Sequence, residues 1–146
     1  MSETRVLYID DDPGIRRLAS RALARRGFDV SCAEGGAEGV AMARSGSFDL
    51  ITVDHYMPGI DGIETLRQLQ ALPHVPPVVY VTGSEEGRIA IAALKAGAAD
   101  YVVKSVGEDF FDLLAASFDQ VRARAQLEQA KAAAEADLRA SNARLE

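Results

Sequence analysis

Five short runs of aliphatic and β-branched residues recur along the chain, at 6–9, 28–33, 49–54, 78–81 and 101–103. Each is followed by a segment of different period. Ile15, Leu18, Ala19, Ala22 and Leu23 fall on one helical face, as do Ile63, Leu66, Leu69 and Leu72, and Ile89, Ala92, Ala93 and Ala96. Residues 37–44 read as a further helix closed by Ser45-Gly46-Ser47, and a last one runs from Glu108 to Glu146 without a breaker. Pro13 after Asp12 marks a helix start, and Gly27, Pro73 and Gly97 mark stops. Strand then helix, five times over, predicts a parallel sheet covered on both faces. Right-handed crossovers then favour the flavodoxin-like strand order 2-1-3-4-5.

In such a sheet the carboxyl ends of the strands form one edge, and ligands bind there. The first strand ends in Asp10-Asp11-Asp12, the third in Asp54, the fourth in Thr82 and the fifth in Lys104. Each has an ordinary reading. Asp12 directly precedes Pro13 and suits a helix cap. Asp54, followed by His-Tyr-Met-Pro58-Gly-Ile-Asp-Gly62, could simply end a strand and open a turn. Taken together they predict a site. Carboxylates crowded at one edge repel unless a cation intervenes. Hard oxygen donors without Cys suit Mg²⁺. A hydroxyl and an ammonium beside that ion would neutralise a phosphoryl group.

Composition removes several classes. With 146 residues, 48% apolar and 26% charged, the chain is long enough for one real core. A net charge of −6 argues against a nucleic-acid-binding surface. Cys32 is alone, so no disulfide framework is expected. No run approaches a membrane span and no signal-peptide core precedes the first strand, so a cytoplasmic protein is expected. His55 and His74 lack partners at ligand spacing, and Met42, Phe48 and Met57 read as core.

The pattern Ile9-Asp10-Asp11, Asp54 to Met57-Pro58, Asp61-Gly62, Thr82-Gly83 and Lys104 resembles the receiver domain of two-component response regulators, over residues 6–121. The resemblance implies that Asp54 accepts a phosphoryl group from a histidine kinase or phosphotransfer protein. It implies Mg²⁺ held by Asp11 and Asp54, with Asp10 on a metal-bound water and the backbone carbonyl of Tyr56 as a further ligand. Lys104 and Thr82 would bind phosphoryl oxygens, and Thr82 with Tyr101 would form the switch. Such a domain catalyses only its own phosphorylation and dephosphorylation, although a full-length parent could be a histidine kinase. A haloacid-dehalogenase-type phosphatase is the enzyme alternative, on the Asp10-x-Asp12 pair. That pattern wants Thr or Val where Gly14 stands, and it leaves Asp54 and Met57-Pro58 unexplained. A flavodoxin-like FMN carrier fails because three acids in the first loop would repel a phosphate.

The chain departs from the family pattern at three places. Ser105 replaces the usual Pro after Lys104, which predicts a trans peptide, since cis before a non-proline residue costs ~2.5–4 kcal/mol. Gly83 replaces the usual Ala. Tyr56 is bulky, and with Ser84 it is expected to flank the approach of water to the phosphoryl group and slow its hydrolysis. The receiver is expected to occupy residues 1–124. Residues 125–146 read as a helical extension or the start of a signalling-helix linker, able to pair with a second copy. Leu138 and Leu145 at a positions put Leu127, Ala134 and Ser141 at d, a seam weakened by Arg124 and Lys131 at a. The pattern stops without a cap, so an output or kinase module beyond Glu146 is expected.

Overall fold

A computed structural model describes residues 3–83, 87–105, 107 and 109–145. Five strands, β1 (Thr4–Ile9), β2 (Phe28–Ala33), β3 (Leu50–Asp54), β4 (Val78–Thr82) and β5 (Asp100–Val103), alternate with five helices. The helices are α1 (Pro13–Ala24), α2 (Gly36–Ser45), α3 (Gly62–Gln70), α4 (Gly87–Lys95) and α5 (Asp109–Leu145). All strand pairs are parallel and the order is β2-β1-β3-β4-β5, as the alternation of periods predicts.

The two faces of the sheet carry separate cores because successive side chains point to opposite sides. Val6 and Tyr8, Leu50, Val79 and Val81 face Ala19 and Leu23 of α1 and Phe110, Leu114 and Phe118 of α5. Leu7 and Ile9, Ile51 and Val53, Val78 and Tyr80 face Val40 of α2, Leu66 and Leu69 of α3, and Ala93 of α4. Every residue of β3 and β4 is buried, which is why those strands read as unbroken apolar runs. Met42, Phe48 and Met57 lie half-buried at the margin of the second core.

Local chemistry fixes the helix starts that border the site edge. Asp12 Oδ1 accepts from the amides of Gly14 and Ile15 and caps α1, with Pro13 in the first turn. Asp61 caps α3 by accepting from the Glu64 amide. The first part of α5, to Val121, packs on the sheet, whereas residues 126–143 are exposed along one unbroken helix. Residues 125–145 continue the helix for about 30 Å. Among the described residues, no helix is long and apolar enough to cross a membrane.

Candidate functional site

Three strands deliver four charged groups to one depression. Asp10 closes β1 nearly without exposure, and its carboxylate accepts from the Asp12 amide at 2.9 Å. Asp54 ends β3 and is likewise buried. Lys104 follows β5, where its amide donates to the Thr82 carbonyl and so extends the ladder by one residue. Its Nζ donates to Asp10 Oδ2 and Asp54 Oδ1, both at 3.2 Å. One oxygen from each of Asp10, Asp11 and Asp54 lies within 4.8 Å of the others, with Asp11 on the open side. Arg16 of α1 braces this floor by donating to the Asp10 carbonyl at 2.9 Å, with Glu34 at 3.7 Å from its guanidinium.

The electrostatics are those of a site short of positive charge. Burial, then the neighbouring Asp10, push the Asp54 carboxyl up to about 6, although Lys104 pulls it back. Burial opposes the charge on Lys104, but Asp54 and Asp10 outweigh it and hold its pKa above the usual value. Both partners of one ion pair are therefore shifted upward, Asp54 by burial and then Asp10, Lys104 by the two acids. A divalent cation would relieve that imbalance. The donor set, three carboxylates with oxygen alone, fits Mg²⁺ rather than a softer metal.

The remaining sequence-derived residues stand around this cluster. Thr82 is buried at the end of β4, and its hydroxyl donates to the Gly83 carbonyl at 3.1 Å. Tyr101 is 40% exposed on β5, on the outer edge of the sheet. Tyr56 is 59% exposed in the loop after β3. The Lys104–Ser105 peptide is trans, with no cis bond among the described residues, and Lys104 reaches both acids nonetheless. Ser84, expected to flank the phosphoryl group, lies outside the described residues.

One pair escaped the sequence reading. His55 has a hydrogen-bond partner, though not a metal-ligating one: its Nδ1 lies 2.6 Å from the Tyr80 hydroxyl. The available signal was Tyr80 itself, since a buried phenol usually finds a partner for its O–H. Tyr8 is a second buried phenol. Burial, then Asp10 and Asp54, push it well above its ordinary value, so it stays neutral beneath the acids.

Residues 6–116 match the response regulator receiver domain family. The chain is 34% identical over 110 residues to the regulatory protein AtoC of Escherichia coli, covering 75% of this chain and 24% of AtoC. It is 37% identical over 103 residues to the transcriptional regulatory protein ResD of Bacillus subtilis, covering 70% of this chain and 42% of ResD. The chain thus spans less than half the length of these relatives. Among solved structures, the receiver domain of Francisella response regulator 1452 superposes with a TM-score of 0.75 at 27% identity, covering 84% of this chain and 98% of that one. The response regulator TrrA of Thermotoga maritima, solved in complex with Mg(2+)-BeF, gives a TM-score of 0.71 at 31% identity, covering 81% and 98%. Fold, acid cluster and family match define a phosphoacceptor module of two-component signalling. The chain belongs to the response regulator receiver domain family, which leaves the haloacid-dehalogenase-type reading without support.

Proposed function

We propose that Asp54 is the phosphoacceptor, with Asp10, Asp11, Asp54 and the Tyr56 carbonyl serving Mg²⁺, and Thr82 and Lys104 holding phosphoryl oxygens. The observation that carries this is Lys104 Nζ at 3.2 Å from both Asp10 and Asp54, a cation poised where phosphoryl charge would arrive. An Asp54 oxygen bonds to phosphorus as the bond to the donor, a phosphohistidine nitrogen or a small acyl phosphate, breaks. When bound, Mg²⁺ supplies charge neutralisation for that transfer. Lys104 then exchanges one carboxylate partner for a phosphoryl oxygen. The Thr82 hydroxyl is free to leave Gly83 for another, and Tyr101 follows that movement as the switch. A histidine kinase or phosphotransfer protein in the cytoplasm is the donor. Acetyl phosphate with Mg²⁺ should label wild type and not Asp54→Asn. Label on the Asn variant, or its loss only on replacing Asp10, would overturn the assignment.

The receiver unit ends near residue 124, and residues 125–146 form a connector that pairs with the same helix of a second copy. Among the described side chains, Leu113, Leu127 and Leu138 are the large apolar ones that α5 exposes, at 57%, 71% and 62%. Leu113 and Leu127 share one heptad position two repeats apart, and Leu138 takes the other apolar position of that seam. Arg124 and Lys131 in the seam make the pairing weak. Sedimentation should show a concentration-dependent dimer that Leu127→Asp with Leu138→Asp removes; a strict monomer at high concentration would refute it.

A further inference from the structure

The loop that follows Asp54 is tied to the sheet from beneath. His55 is fixed along its backbone at both ends, its amide donating to the Val81 carbonyl at 3.1 Å and its carbonyl accepting from the Gly62 amide at 2.9 Å. What remains free is the rotation of its ring, and the Nδ1–Oη contact of 2.6 Å with Tyr80 removes it. Burial, then Asp61 and Asp54, push the Tyr80 phenol above its usual value, so the phenol keeps its proton within its hydrogen bond to the imidazole. Tyr80 reaches the loop because position 62 has no side chain: a Cβ there would collide with the Tyr80 hydroxyl. The anchored imidazole then meets the Tyr56 ring edge to face, with centroids 4.7 Å apart and planes at 80°. Tyr80 is fully buried and Tyr56 is largely exposed, so the His55 ring links the core to an exposed ring two residues from Asp54.

We propose that the His55–Tyr80 hydrogen bond is a positioning device that holds the Tyr56 ring beside the phosphoryl group and lengthens the life of the phosphorylated state. The inference rests on Asp54 being the acceptor. In hydrolysis, a water oxygen bonds to phosphorus opposite Asp54. The bond from phosphorus to the Asp54 oxygen breaks, its electron pair returns to the carboxylate, and the proton of the water passes to solvent. A ring held at the mouth hinders that line of approach. A ring released from its support hinders it less. Among the described residues the side chain that the His55 ring hydrogen-bonds is Tyr80 and not one of the acids Asp10, Asp11 or Asp54, so formation of the acyl phosphate should not depend on this pair.

The test is a double-mutant cycle on dephosphorylation. The full chain is loaded with acetyl phosphate and Mg²⁺, the donor is removed, and loss of label is followed in wild type, Tyr80→Phe, Tyr56→Ala and the double variant. Tyr80→Phe should hydrolyse about threefold to tenfold faster, the range given by loss of one hydrogen bond, while its rate of labelling stays that of wild type. In the Tyr56→Ala background it should add nothing. His55→Asn keeps a hydrogen-bonding atom at the Nδ1 place but has no ring to support Tyr56, and should match Tyr56→Ala. His55→Phe, on a half-exposed residue, serves should Tyr80→Phe fold poorly, and should hydrolyse as fast as Tyr80→Phe is expected to. An unchanged lifetime in these variants overturns the proposal, and so does equal acceleration with and without the Tyr56 ring. Absence of label on wild type would overturn the acceptor assignment and this inference with it, whereas normal labelling with unchanged lifetimes removes the inference alone.

Discussion

Replacing Asp54 by Asn should make the metal-free domain more stable near neutral pH. The carboxyl titrates at about 6 in the folded chain against an ordinary 3.8, because burial and Asp10 disfavour its charge more than Lys104 favours it. The folded chain therefore holds this proton more tightly than the unfolded one. The stability so gained is complete below about pH 4 and is lost as pH rises through about 6. A difference of about two units, at about 1.4 kcal/mol each, amounts to roughly 3 kcal/mol. The amide resembles the protonated acid and can still accept from Lys104, so it should recover most of that sum above pH 7. For a chain of 146 residues the gain corresponds to roughly 10 °C in melting temperature. Thermal and urea denaturation of both proteins, in chelator at pH 4.5 and pH 7.5, measures it. Mg²⁺ at pH 7.5 should narrow the gap by stabilising wild type preferentially. Equal stability at pH 7.5, or the same gain at pH 4.5, would show that the crowding of Asp54 by burial and Asp10 has been misjudged.

Two further outcomes follow from named contacts. Lys104→Met removes the cation that bridges Asp10 and Asp54, so labelling by acetyl phosphate should fall about a hundredfold, the scale of losing one charged group from a transition-state clamp. Its remaining activity should peak at higher pH, since Asp54 loses the partner that lowers its pKa; an unaltered rate and pH profile would refute this. Gly62→Ala places a Cβ against the Tyr80 hydroxyl and 2.6 Å from the Asp54 carbonyl oxygen, which should cost about 1–3 kcal/mol in urea denaturation, with no change in stability as the refuting result.

The order of elements, the five-stranded parallel sheet and the acids at its carboxyl edge could be read from the chain alone. Periodicity is a local property, and a buried parallel strand such as 50–54 announces itself as an apolar run that ends in a loop. The Asp12 cap, next to Pro13, was equally local. The trans peptide after Lys104 followed from the covalent chemistry of Ser against Pro. Contacts between strands distant in sequence were another matter. The approach of Lys104 to both Asp10 and Asp54 depends on where three strand ends fall in register. The rise of the Asp54 pKa depends on how completely that edge is closed to water. His55 looked idle because its partner lies 25 residues away, and only the pairing of β3 with β4 sets Tyr80 beside it. Side-chain type and spacing are fixed by neighbours along the chain, whereas charge environment and hydrogen-bond partners arise from segments that meet only after the sheet has formed.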